Sequence, residues 1–206
     1  NRRPPVLTDL SFLHLVCHTP DMYPNYYPRR REIVELSNYA IIHSEEFMVP
    51  IPDEDKNVDY EAFLGEIKRA RVLKSWNEEV SEDEIIEKHS FQSGDLFRLI
   101  SNADWLLYAF SELGRLLDHR DLLPRISNLR MRISKGVKKE LLPIIRLDGI
   151  GRVRGRILFN AGFKTIKDLR LASISQLSNL PLIGLGVARK VKAQISDLKK
   201  GNNGRN

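Results

Sequence analysis

Apolar residues recur along this chain at three- and four-residue intervals and strict alternation is scarce, so the pattern predicts helices joined by short polar turns. A first helix begins at Thr8-Asp9 and runs to about Cys17. Thr19-Pro20-Asp21-Met22 ends it, because proline disfavours helix at the residue before it. Tyr23 to Pro28 reads as irregular, Arg29 to Ser44 as a second helix, and Val49-Pro50-Ile51-Pro52-Asp53 as a proline-interrupted connection. A long helix spans Asp59 to about Glu79, with an apolar stripe at Phe63, Ile67, Ala70, Leu73 and partly Leu64. Ser81, with Glu84 three residues on, caps a further helix. Ser93-Gly94-Asp95 opens one from about Leu96 to Leu117, and another covers about Leu122 to Leu141. The expected fold is all-α. A helical bundle around one long central helix occupies residues 1–142, a smaller domain of short helices and glycine turns 143–200, and a disordered tail 201–206.

With 206 residues, 42% of them hydrophobic, the chain can bury a substantial core in one or two domains. The overall charge of +6 hides an asymmetry. From Arg125 onward there are 19 Lys+Arg and 4 Asp+Glu, a net of +15, which leaves 14 basic and 23 acidic residues, a net of −9, in residues 1–124. A basic half of this kind is the footprint of a polyanionic partner. A membrane surface fits less well, since the glycine turns interrupt any long basic amphipathic helix. No apolar run approaches the ~20 residues that span a bilayer, and no signal-peptide core opens the chain. The single Cys17, in the apolar run Phe12 to His18, is expected to be a buried structural thiol in a reducing, intracellular setting. The chain opens on Asn1 and not Met, so it is expected to be part of something longer.

Two glycine-punctuated segments change this picture further. Leu147-Asp148-Gly149-Ile150-Gly151-Arg152-Val153-Arg154-Gly155-Arg156 recurs about thirty residues later as Leu180-Pro181-Leu182-Ile183-Gly184-Leu185-Gly186-Val187-Ala188-Arg189-Lys190. Gly149 and Gly151, and again Gly184 and Gly186, permit close approach of a ligand to the first N–H groups of a following helix, which lack internal partners. The competing reading is that each Gly-x-Gly merely caps a tight helix-helix turn. The pair resembles the double helix-hairpin-helix module of DNA repair and recombination proteins. That resemblance implies DNA-backbone contacts for Gly149, Gly151, Gly184, Gly186, Arg189 and Lys190, while Arg152, Arg154 and Arg156 resemble the arginine-rich segment by which archaeal Hjm helicases touch an exiting strand. Arg154 and Arg156 are separated by Gly155 where that helicase family leads one to expect alanine, which puts in question whether the two arginines share a face; the competing reading is a solvated basic patch.

The wider succession of motifs resembles the C-terminal part of the archaeal Hjm helicases, superfamily-two enzymes that unwind forked DNA from the 3′ side. The matching residues include Thr19-Pro20-Asp21-Met22, Leu73-Lys74-Ser75-Trp76, Ala103-Asp104-Trp105-Leu106, Gly136 to Leu142 and Ile150 to Arg156, and they cover nearly the whole chain in order. The resemblance implies that the helix at 59–79 is a ratchet facing the translocating single strand and that the C-terminal helix-loop-helix grips the exiting strand. Arg69 and Trp76 are the implied strand contacts. They are seven residues apart, two turns, and so project from one face, where Trp can stack on a base and Arg can meet a phosphate. The alternative for Trp76 is core packing; Trp105 is assigned to the core outright.

The resemblance also implies partners beyond this chain: single-stranded and forked or junction DNA, two RecA-like motor domains of the parent with ATP and magnesium, and repair or replication proteins in an archaeal cytoplasm. No cofactor, catalytic residue or metal site is expected in the chain itself. Asp83-Glu84-Ile85-Ile86 superficially looks like a motor box, but its place behind Ser81 suits a helix start, and no phosphate loop is present. His14 and His18 share an i, i+4 spacing without a completing ligand set. Two other readings stand beside this one: a free-standing hairpin module of a repair protein, and a protein- or RNA-interaction bundle.

Overall fold

The computed structural model describes residues 5–23, 25–55 and 57–203. Among them are eleven α-helices, two short 3-10 helices and no strand, so the chain is all-α. It divides into two compact units, Asn1–Ser134 and Lys135–Asn206. The division falls ahead of residue 142 because Gly136, at φ +63°, stops the helix that sequence periodicity extends to Leu141. Residues on both sides of Pro143 then pack within the second unit: the side chains of Leu141 and Ile145 lie against Gly155.

In the first unit, α1 (Asp9–His18) starts at a capping box in which Thr8 and Ser11 exchange side-chain and backbone bonds. α2 is Arg30–Ile42, α3 Asn57–Asn77, α4 Glu82–His89, α5 Ser93–Leu116 and α6 Leu123–Lys135. Ser81 accepts the N–H of Glu84 at the start of α4, as expected. α1, α2, α4 and α5 all pack on α3. The apolar stripe predicted on α3 is therefore only part of what it buries. Phe63, Leu64, Ile67, Ala70, Val72 and Leu73 are all buried, and so are Lys68, Arg69 and Asn77. Burying Phe63, Leu64, Ile67, Val72 and Leu73, at about 1.5–3 kcal/mol each, is what fixes α3 at the centre.

Gly65 allows one close approach that no other residue would. A Cβ there would sit 2.1 Å from the carbonyl oxygen of Tyr26, so the Tyr26 backbone lies directly on the helix. Trp105, assigned above to the core, is instead 57% exposed. It shares the outer face of α5 with Phe97 and Tyr108, which are also exposed, because the inner face of that helix is already filled by Leu99, Ala103, Leu106 and Leu107.

The second unit holds α7 (Leu142–Ile145), α8 (Arg152–Asn160), α9 (Ile166–Leu171), α10 (Ile174–Ser178) and α11 (Leu185–Asn203). Thr165 with Asp168 and Ser173 with Gln176 form capping boxes that start α9 and α10. Lys192, from α11, donates to the carbonyls of Leu169, Arg170 and Ala172 at 3.2, 2.6 and 2.7 Å and so closes the C-terminal end of α9. α11 continues through Gly201–Asn203, three residues assigned above to the tail; 204–206 lie outside the described residues.

Candidate nucleic-acid interface

The glycine segments of the second unit are two copies of one turn, offset by 33 residues as Ile150 is from Ile183. In the first, Leu147 N–H donates to Ile144, Ile150 N–H to Leu147, and Gly155 N–H to Gly151. In the second, Leu180 N–H donates to Leu177, Ile183 N–H to Leu180, and Ala188 N–H to Gly184. Ile150 and Ile183 are buried and anchor the turns, while Gly151 and Gly184, the residues before α8 and α11, are exposed. The third residue of each turn is left-handed: Gly149 at φ +84° and Leu182 at φ +60°. A leucine in that conformation costs about 1–3 kcal/mol, and this one is also 65% exposed. Sequence reading passed over Leu182 because its neighbours, not the residue itself, carry the glycine signal.

Arg154 ties the copies together. Its Nε donates to Leu182 O at 2.8 Å and a terminal nitrogen donates to Gly149 O at 2.9 Å, so one guanidinium holds the carbonyls of both left-handed residues. Arg156 faces elsewhere, donating to Glu140 at 2.9 Å with its guanidinium 5.1 Å from the Phe159 ring centre. The two arginines therefore do not share a face. Gln194 adds a second clamp from α11, accepting the N–H of Asp148 at 2.8 Å and donating to its carbonyl at 3.0 Å. Arg189 and Lys190 are exposed on the first turns of α11, Gly186 lies open beside them, and Arg152 is partly exposed at the start of α8. The unit carries 16 Lys+Arg against 4 Asp+Glu over residues 135–206. The arrangement thus offers two exposed helix N-termini in a strongly positive field, the geometry that suits phosphates.

Arg69 and Trp76 are placed differently. Arg69 is 4% exposed, and its guanidinium donates to Met22 O at 2.6 Å, Cys17 O at 2.8 Å and Asn25 Oδ1 at 3.1 Å. It closes the C-terminal end of α1 and pins the segment after it. Trp76 is partly buried against the core and donates its indole N–H to Ile133 O at 2.8 Å, near the end of α6. The two residues do share a face of α3, as their spacing requires, but that face is covered by the first unit's own chain. Cys17 is buried, and its thiol is pushed up to about 12, chiefly by desolvation.

His14 and His18 meet at Glu66. His18 Nδ1 lies 3.1 Å from both carboxylate oxygens, and His14 Nε2 lies 3.4 Å from one. Burial, followed by the charges of His18 and Arg69, lowers His14 to about 3. Among the described residues, no group of three His, Cys, Asp or Glu is arranged to hold a metal ion, and no helix is long and apolar enough to cross a membrane.

Comparison with known proteins agrees in one direction. The chain is 38% identical over 86% of its length to the ATP-dependent DNA helicase Hel308 of Thermococcus kodakarensis and 37% identical over 91% to that of Caldivirga maquilingensis. It is 31% identical over 88% to that of Pyrococcus abyssi. It spans 16%, 26% and 25% of those relatives, respectively. The family described as archaeal helicase, domain 4, matches residues 10–136, more than half of the chain, and to that family the chain belongs.

Proposed function

We propose that this chain is the DNA-handling, non-motor portion of an ATP-dependent DNA helicase, and that it holds DNA by the sugar-phosphate backbone through the paired turns of its second unit. The observation that carries this reading is the 33-residue repeat: two turns of the same hydrogen-bond pattern, each opening an exposed helix N-terminus among Arg152, Arg189 and Lys190. The names of the relatives supply DNA as the polyanion. In this reading the chemistry belongs to the parent: RecA-like motor domains with ATP and magnesium unwind forked DNA in the 3′ to 5′ direction, while this portion grips the strand without hydrolysing nucleotide. Because the grip is on backbone, it discriminates little between sequences.

The test is fluorescence anisotropy with labelled single-stranded and duplex DNA of equal length across a salt series, for the wild type and an Arg189→Gln/Lys190→Gln variant. Binding that falls steeply with salt, and a slope that becomes shallower by about 2 in the variant, is expected. Wild-type binding indifferent to salt would refute the reading.

A second reading applies to the first unit. Phe97, Trp105, Tyr108 and Leu116 are exposed on α5, and an apolar face of that kind on an acidic unit supports contact with a protein surface, for which the motor domains of the parent are the candidate. A Trp105→Ser change that weakens association with separately expressed motor domains would support it; unchanged association would count against it.

A further inference from the structure

The first unit is acidic overall, yet it gathers cations at one cleft. Between α2, α3 and α4 lies a cavity of about 230 Å³ whose walls carry Arg31, Lys68, Arg71 and Lys88 against Glu32 and Glu35. Lys68, 5% exposed, bonds Glu32 at 2.9 Å. Burial would raise the Glu32 carboxyl, but the Arg29 N–H and the Lys68 ammonium hold it below its ordinary value, so this pair is ionised. Arg71 bonds Glu35 at 2.5 Å, and Arg31 donates to Ser90 at 3.2 Å. Four cations and two carboxylates leave a net of +2. His89, in the same wall and 3.3 Å from the Ser75 hydroxyl, registers that excess. Its pKa is lowered to about 4, first by burial and then by Arg71, Lys88 and Lys68, with Glu35 alone opposing. The imidazole is therefore neutral and adds no charge of its own.

Lys68 and Arg71 are already paired with Glu32 and Glu35, so the net of +2 falls on exposed Arg31 and Lys88, and a concave site with a positive rim of this kind attracts an anion. We propose that this cleft binds a phosphate group of nucleic acid, with Lys68 and Arg71 reaching it from α3 and Arg31 and Lys88 from the exposed rim. The proposal rests on the reading above for the identity of the polymer, but not for the site. It moves strand contact on α3 from Arg69 to the face of Lys68 and Arg71, about 100° to 160° around the helix. The phosphate can be an internal diester or a terminal monoester, since the same cations recognise both.

Three proteins test this: wild type, Arg31→Gln/Lys88→Gln in the cleft, and Arg189→Gln/Lys190→Gln in the turns. Both cleft positions are exposed, so the variant is expected to keep the fold, and a thermal melt checks that. Each protein is titrated with single-stranded oligonucleotides ending in a 5′-hydroxyl or a 5′-phosphate, by anisotropy across salt and by NMR of the His89 ring, whose pKa must rise when an anion enters. The expected result is an affinity about threefold or more lower for the cleft variant, a salt slope shallower by about 1 to 2, and a His89 shift in wild type and in the turn variant but not in the cleft variant. A response confined to the 5′-phosphate oligonucleotide would identify the terminal monoester as the source and support the site. A cleft variant matching wild type in affinity, slope and His89 shift with both oligonucleotides would overturn it. Loss of salt-dependent binding by the turn variant leaves this result legible, because His89 reports on the cleft alone.

Discussion

Each unit contains an arginine that the family resemblance implies for DNA and the fold assigns to its own backbone, and the two differ in what that leaves for a ligand. Arg69 holds Cys17 and Met22 carbonyls in the interior of the first unit, where no strand can follow it. Arg154 holds Gly149 and Leu182 carbonyls between two exposed turns of the second unit, so fixing them fixes the geometry of a surface. A charged side chain bonded to backbone is structural in both places. In the second it also organises the groups that would meet a phosphate.

The strongest way to break this comparison lies at the pinned segment of α3. Gly65→Ala would drive a methyl group into the Tyr26 carbonyl and is expected to cost about 3 kcal/mol. Arg69→Met, which strands buried carbonyls, is expected to cost at least as much, about 3–4 kcal/mol. Urea denaturation measures both; a loss under about 1 kcal/mol for either would mean that α3 is not held as described.

Arg154→Ala should come next, lowering DNA affinity about tenfold while the salt slope stays at the wild-type value, since no phosphate contact is removed directly. Arg154→Lys should rescue little, because one ammonium cannot reproduce the two-carbonyl fork. A slope shallower by about 1 in Arg154→Ala would instead make Arg154 a direct phosphate ligand.

Acid should act on the first unit through two buried histidines. His14 is held at about 3 and His89 at about 4, against 6.5 for a free histidine, in both cases chiefly by burial. As the pH falls through that window the unfolded chain takes up protons that the folded chain refuses, so their contribution to stability is complete above 6.5 and is lost below it. Thermal melts are expected to show a falling Tm from pH 7 to pH 5, with a shallower fall in His89→Gln; a Tm flat over that range would contradict the burial of both rings.

Helix existence was legible across the first unit, because three- and four-residue periodicity reports which residues seek an apolar neighbour, whereas α9 and α10 are too short to show a period. Thr8 and Ser81 were readable as helix starts because an N-cap is a local event. The paired turns were readable for the same reason: glycine and the buried Ile150 and Ile183 recur at fixed offsets. Periodicity does not report how many neighbours a helix has. α3 is covered on several sides, so Arg69, off its apolar stripe, is buried all the same, and Trp105 is exposed although its run of sequence is apolar. Gly65, Lys192 and Gln194 carried no signal, since each acts on backbone distant in sequence.

The smallest expected stability effect is also the most direct test of the central claim, that α3 displays Trp76 to its own chain and that DNA is held by the turns. Trp76→Phe keeps an aromatic ring but removes the N–H that bonds Ile133 and should cost about 1 kcal/mol. Anisotropy with single-stranded DNA, run on Trp76→Phe beside Arg189→Gln/Lys190→Gln, decides the matter. The account predicts affinity within about twofold of wild type for the first and a loss of about tenfold with a shallower salt slope for the second. The reverse pattern would contradict it and return the strand to the Trp76 face of α3.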